Sequence, residues 1–320
     1  MLQPWNPANA DILVNINGQL IQRDKAGISP FDSAVQGGDA VWEGLRLYNG
    51  RIFKLTEHLD RLRSSALALA FAQVPPHEDI RREIKRTLEA NSMSDNVHIR
   101  LTLTRGVKYT SGMDPRLNTK GPTLIVLAEH KAPVYDAAMS GHATQAGVCA
   151  HGAGLALVTS SIRRFPPDCL DPKIHHCNLI QSILAKIDAN NAGADDAIML
   201  DTRGFLAETN ATHLFLVDSG VVRTPRAVAC PEGITRETVL ELCAREKIPA
   251  EVRDISMTEV YRADEVFCTG TMGELAWVSR VDGRAIGRMK SDTHATPGPM
   301  WSRLSTLYRE HARTQGEQIV

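Results

Sequence analysis

The feature that most restricts this chain is a pair of Asn-Gly dipeptides, each set between runs of alternating apolar residues. Ile12, Val14 and Ile16 alternate with polar neighbours before Asn17-Gly18, and Leu20 and Ile21 resume beyond it. Residues 41–48 lead into Asn49-Gly50 and then residues 52–55. A two-residue turn of the kind that joins twisted strands needs positive φ at both central positions, which Asn and Gly tolerate. Each dipeptide therefore predicts a tight antiparallel hairpin. Residues 97–104 alternate too: Val97, Ile99, Leu101 and Leu103 face one way, His98, Arg100, Thr102 and Thr104 the other. Long antiparallel strands fit this pattern better than a doubly wound parallel sheet.

Helices fill the intervals. Thr56 is placed to cap one whose stripe is Leu59, Leu62, Ala66 and Leu69, with Glu57 in its first turn. Ile80, Ile84 and Leu88 form a second that ends near Asn91, and residues 123–128 read as a buried strand. Farther on, strands are expected at 155–160, 197–200, 213–217 and 266–268. A helix over 178–192 would turn Ile180, Ile183, Leu184 and Ile187 inward. Gly233-Ile234-Thr235 opens another, carrying Val239, Leu240 and Cys243, and residues 298–313 form the last. At 320 residues the chain suits two domains. The expectation is α+β: a smaller domain over 1–129, a linker over 130–136 containing Pro133, and a larger domain over 137–320.

Composition narrows the function. Lys and Arg total 36 against 37 acidic residues, a net charge of −1, so the basic excess that nucleic acid or an acidic membrane attracts is missing. With 43% hydrophobic and 23% charged residues the chain is expected to fold rather than stay disordered. Its longest uncharged stretch, 137–162, is broken by Ser140, His142, Gln145 and His151, which disqualifies it as a membrane span. Met1-Leu2-Gln3-Pro4 begins no basic-then-apolar leader. Six scattered cysteines without a CxxC pair fit reduced thiols in the cytoplasm. Nucleophile-elbow, phosphate-loop and dinucleotide fingerprints are all missing.

Four features carry chemistry. Gly233-Ile234-Thr235-Arg236 at a helix start offers free N–H groups and a hydroxyl to an anion, although alone Thr235 would merely be a cap. Thr269-Gly270-Thr271 at a strand end offers close backbone approach and a second hydroxyl; taken singly it is a turn. Arg61 sits beside its helix's apolar stripe, where a solvated Arg is the ordinary occupant and a phosphate clamp the alternative. Lys173, before the 178–192 helix, and Glu208, after a strand and turn, form an amine and carboxylate able to bracket an aromatic cofactor; a surface lysine and a strand-end glutamate are the ordinary alternative. Adjacent His175 and His176 point apart, and neither Cys169 nor Cys177 stands at a metal-ligand interval from them, so no metal is expected.

In this order the pieces resemble the fold-type IV pyridoxal-phosphate enzymes: branched-chain and D-amino-acid aminotransferases, amine transaminases and aminodeoxychorismate lyase. The resemblance rests on Val41-Trp42-Glu43-Gly44-Leu45-Arg46, His58 with Arg61 and Leu62, Leu200-Asp201 with Gly204 and Glu208, Thr224-Pro225, Gly233 with Arg236, and Gly270-Thr271. It implies the two-domain fold-type IV architecture, pyridoxal 5′-phosphate as cofactor, and a homodimer. It also implies that Arg61, Ile234, Thr235, Gly270 and Thr271 hold the phosphate and Glu208 the pyridine nitrogen. Trp42 looks like the aromatic wall of a substrate pocket, and Arg46 belongs to the matching segment. His98 and Arg100 stand where branched-chain members grip a distal carboxylate; an ordinary exposed strand face is the competing reading.

The departures matter. Relatives place the cofactor lysine three or four residues before the helix-leading Asn, which Asn178 matches, yet Ile174 and His175 occupy those positions. Lys173 shares a face with residue 175 if the segment is extended, and is the amine chosen for catalysis. Leu179, His213 and Gly37 replace residues usual in branched-chain members, which leaves the substrate open. The expected function is a class IV aminotransferase that moves an amino group between a small amino acid or amine and a 2-oxo acid. The alternatives are a lyase or lysine-independent enzyme using His175 or His176, and a non-catalytic cofactor-binding relative.

Overall fold

The computed structural model describes residues 5–133, 154–287 and 296–320. Most of the expected linker and of the uncharged stretch lies outside them. The chain divides into two compact units: the first takes 4–132, 174–179 and 312–320, the second 133–173 and 180–311. The short segments at 174–179 and 312–320 thus belong with the first unit, although reading along the chain put them in the C-terminal domain. Among the described residues no helix is long and apolar enough to cross a membrane.

The first unit is built on one antiparallel sheet. Its strands are β1 (Leu13–Ile16), β2 (Gln19–Gln22), β3 (Ala40–Tyr48), β4 (Arg51–Ile52), β5 (Val97–Thr104) and β6 (Thr123–His130), with the last strand of the chain, β16 (Glu317–Gln318). Their order is β16-β4-β3-β5-β6-β1-β2. Both Asn-Gly hairpins form, with positive φ at Asn17, Gly18, Asn49 and Gly50. In the β3–β5 register Val41 faces Leu103, Leu45 faces Ile99 and Leu47 faces Val97. That apolar face packs with Leu59 and Leu62 of α2 (Leu55–Ala68) and with Ile80, Ile84 and Leu88 of α3 (His77–Ala90). Thr56 does not cap α2. Lys54 occupies that position in a left-handed conformation without a side-chain bond, and the Thr56 hydroxyl instead accepts from Arg81. Between Ala40 and Trp42, β3 pairs with the 174–179 segment: Val41 bridges His176, Trp42 N–H donates to the His175 carbonyl, and Cys177 N–H to that of Ala40.

The second unit centres on a mixed sheet. It contains β7 (Leu155–Thr159), β8 (Asp196–Leu200), β9 (Leu206–Thr209), β10 (His213–Asp218), β11 (Val221–Thr224), β12 (Ala250–Val252), β13 (Glu265–Gly270), β14 (Glu274–Val281) and β15 (Arg284–Ala285). The order is β12-β11-β10-β13-β14-β7-β8-β9, with β15 on β14. Its β14–β7, β7–β8 and β11–β12 pairs are parallel, so the sheet is less uniformly antiparallel than the first. The helix at Ile180–Asn191 corrects an expectation. Ile180, Ile183, Leu184 and Ile187 are 60%, 51%, 44% and 46% exposed, while Ala185 and Ala189 pack against Ala197 and Met199. Small side chains let the helix approach the sheet closely, and the long ones point away.

Candidate active site

In the first unit the chemistry gathers around a carboxylate. Glu43 shares strand parity with Val41 and Leu45, which turns it into the core face, and it is fully buried. A lone ion there would be prohibitive, so it is surrounded by donors. Arg61 donates to both oxygens, Nε to Oε1 at 2.8 Å and Nη2 to Oε2 at 2.7 Å. His58 Nδ1 lies 2.6 Å from Oε2 and His175 Nδ1 3.1 Å from Oε1. Burial pushes the Glu43 carboxyl upward, but Arg61 and the imidazoles together hold it well below the usual range. An ionised carboxylate only accepts, so both rings donate from Nδ1. His175 is anchored further: its N–H donates to the Ser65 hydroxyl, and its ring stacks on Trp42 with centroids 4.3 Å apart. Burial lowers its pKa against the opposing pull of Glu43, so the ring is neutral near pH 7.

The other parity of β3 and β5 forms a second patch. Gly44 faces Arg100 and Arg46 faces His98. The Arg100 guanidinium lies 3.5 Å from the Trp42 ring centroid. Burial lowers its pKa, with Cys177 and Glu43 acting in the opposite direction. His98 is 5% exposed, so the exposed-face reading fails at this position. Neither of its ring nitrogens has a partner among the described residues, nor do Nε and Nη1 of Arg46. Arg46 Nη2 donates to the Lys131 carbonyl. Trp42, Arg46, His98 and Arg100 thus share one sheet face, as alternation predicts.

The second unit holds the remaining features. Glu208 in β9 is buried and forms an ion pair with Arg164, 2.5 Å between Oε1 and Nη2. Cys230 is also buried, and burial with the Glu208 charge pushes its thiol upward. The helix α6 (Ile234–Arg245), with α1 (Ser33–Gly37), α4 (Pro167–Leu170) and α5 (Ile180–Asn191) preceding it in the chain, starts at Gly233 without a side-chain cap. Its first-turn N–H groups are therefore not taken by a capping side chain, and the buried Thr235 stands among them. Gly233 is required there: a Cβ would lie 2.3 Å from the His213 ring. β13 ends at Gly270, followed by half-buried Thr271. The hydroxyl of buried Thr269 has no partner among the described residues.

Lys173 is exposed, its main-chain N–H donating to Asp171. The members of these buried charge clusters not nominated from sequence are Glu43, His58 and Arg164. A carboxylate at a core-facing position of an apolar strand was the available signal for Glu43; Arg164 had none.

The family model for amino-transferase class IV matches residues 40–281. The chain is 52% identical over 313 residues to branched-chain-amino-acid aminotransferase-like protein 2 of Arabidopsis thaliana, covering 98% of this chain and 52% of that protein. It thus spans about half the length of such relatives. It is 36% identical to a putative branched-chain-amino-acid aminotransferase of Methanocaldococcus jannaschii, covering 85% of this chain and 89% of that one. A T.th. branched-chain amino acid aminotransferase, solved with N-(5′-phosphopyridoxyl)-L-glutamate, superposes with a TM-score of 0.81 at 31% identity, covering 95% and 94% of the two chains. A matched segment of this extent, together with the fold it describes, shows that the chain belongs to the class IV aminotransferase family.

Proposed function

We propose that this protein is a pyridoxal-phosphate-dependent transaminase acting between a small amino acid or amine and a 2-oxo acid. The observation that carries the reading is the uncapped start of α6, where Gly233 leaves the first-turn N–H groups open beside Thr235. An open helix N-terminus with adjacent hydroxyls matches a phosphate. Ile234, Thr235, Gly270 and Thr271 of the second unit would hold that phosphate. The unpartnered Thr269 hydroxyl supports a polar ligand in the same unit. Glu208, fixed by Arg164, would keep a pyridine nitrogen protonated. When bound, the cofactor supplies an aldehyde for the amino group and a ring that accepts electron density. Lys173, whose amine no described residue engages, is the covalent anchor we assign.

Trp42 would wall the substrate, with Arg46, His98 and Arg100 taking a carboxylate of the acceptor. The buried, unpartnered nitrogens of Arg46 and His98 support this, because such groups are costly unless a ligand completes them. Five free cysteines among the described residues support a cytoplasmic location, and the exposed isoleucine–leucine row of α5 supports a homodimer.

Equilibrium dialysis against pyridoxal 5′-phosphate, followed by amino-group exchange between a panel of amino acids and 2-oxoglutarate, tests the reading. Cofactor uptake and exchange are expected. Arg100→Gln should raise KM for a dicarboxylic acceptor about 10- to 100-fold and leave monocarboxylic acceptors near the parent value, since a charge-assisted bond is lost. A protein that retains no cofactor overturns the proposal.

A further inference from the structure

We propose that Glu274, clamped by Arg309, is a positioning residue that holds the Gly270-Thr271 turn in the shape that receives a phosphate. The inference rests on the transaminase reading, which assigns that turn to the cofactor phosphate, and it concerns residues of the second unit alone. A Cβ on Gly270 would stand 3.2 Å from Thr212 Cγ2, and one on Gly233 2.3 Å from the ring of His213. The turn and the start of α6 therefore lie against consecutive residues, which brings the two halves of the assigned phosphate set together.

The turn is short and its backbone is strained. Gly270 and Glu274 face each other across β13 and β14, and the Gly273 N–H donates to the Gly270 carbonyl at 3.2 Å. Closing so small a loop puts Glu274 at a φ of 56°. Glycine takes that left-handed conformation freely, whereas a Cβ crowds the following carbonyl there. The same position carries a buried charge, as Glu274 is only 5% exposed. Both features run against local preference, and a glycine would remove both. Such a residue persists only where its surroundings hold it, and strained positions gather at ligand sites.

The Pro299–Thr314 helix supplies the hold. Arg309 Nε donates to Glu274 Oε2 at 2.9 Å, giving the buried carboxylate its counter-charge. Near its other end the same helix is fixed to the same hairpin. Glu265 accepts from the N–H groups of Met300 and Trp301 at 3.0 and 2.8 Å, satisfying two first-turn donors. Gly298 permits this contact, since a Cβ there would fall 2.0 Å from Glu265 Cδ. Glu265 opens β13 and Glu274 opens β14, so the helix braces the hairpin from its open end to its turn. Gly270 and Thr271 take their placement from that brace, and Glu274 acts only through them.

Equilibrium dialysis of the full chain against pyridoxal 5′-phosphate and, separately, pyridoxal tests this. The ratio of the two dissociation constants reads what the phosphate contributes. Glu274→Gly removes the clamp but adopts the left-handed backbone without strain, so the variant is expected to fold. Its preference for the phosphorylated form should fall about 10- to 100-fold, the loss of one hydrogen bond to a charged group. Arg309→Ala should lower the preference similarly. Glu274→Gln, whose amide oxygen still accepts from Arg309, should stay within threefold of the parent. Pyridoxal affinity should change little in all three, which separates the clamp from a general loss of structure. A preference within threefold of the parent in both Glu274→Gly and Arg309→Ala overturns the positioning role and leaves the transaminase reading intact. So does an equal fall in all three variants, which would follow the charge and not the clamp. If the unaltered protein binds the two forms alike, the phosphate assignment itself fails and this proposal falls with it.

Discussion

A buried imidazole with nothing to bond is a local cost, and His98 shows where this chain accepts one. Its two ring nitrogens are buried without partners among the described residues, and burial followed by three nearby cations lowers its pKa from 6.5 to about 3. Between those values the unfolded chain binds a proton at this ring and the folded chain does not. Folding stability from this group is therefore full above pH 6.5 and declines as pH falls toward 3. His98→Leu should raise stability at neutral pH by about 1 kcal/mol, since an unsatisfied polar group is exchanged for an apolar one. It should also flatten the fall in the urea midpoint between pH 6.5 and 4, and weaken the acceptor carboxylate binding proposed for that patch. An unchanged midpoint and slope would refute the account. Alternation in residues 97–104 already revealed the neighbours of His98. Its burial was not legible, because a polar residue on the second face of a strand is exposed unless something covers that face. Glu43 was legible only as part of a motif: the pattern of β3 marks it as core-facing but names none of its partners, which lie 15, 18 and 132 positions away.

At the level of elements, local rules worked wherever the signal was local. Asn-Gly fixed two hairpins because the turn conformation is a property of two residues. The apolar row of α5 marked a face but not its partner: Ala185 and Ala189 won the sheet because their size allows closer contact, and periodicity does not encode that choice. The start of α6 was legible from Gly233, yet the reason for glycine was not. Gly233 has an ordinary φ of −76°, so backbone freedom is not what selects it. The close approach of His213 does, as a Cβ would stand 2.3 Å from its ring. Gly233→Ala should cost about 1–3 kcal/mol by overpacking. The added cost should shrink in a His213→Ala background, giving a coupling of about 1 kcal/mol or more in a double-mutant cycle from urea midpoints. Equal losses in both backgrounds would mean that the methyl group strains something other than the imidazole.

For the whole molecule, chain order and compact unit do not coincide. Residues 312–320 return to the unit formed by 4–132, and a two-residue strand so far from its partner leaves no periodic trace. The return is nonetheless well held. β16 pairs with β4, Glu317 facing Ile52 and Gln318 facing Arg51. Arg81 Nε donates to Glu317 at 2.8 Å, and Arg51 Nη1 to the Gly316 carbonyl at 3.0 Å. The N–H groups of Ile319 and Val320 both donate to the Gly50 carbonyl, tying them to the second hairpin turn. Ile319 joins the core that contains Ile52, Leu55 and Leu59. Burying one such side chain contributes about 1.5–3 kcal/mol, whereas the half-exposed ion pair adds at most about 1 kcal/mol. Removing residues 316–320 should therefore weaken the first unit by about 2–4 kcal/mol and leave the second largely unaffected. Hydrogen exchange read by mass spectrometry distinguishes the units. Faster exchange is expected across β3, β4 and α2, with β10, β13 and β14 unchanged. Equal acceleration in both sets would show that the two units unfold as one, and that the contribution of residues 316–320 is shared by the whole chain.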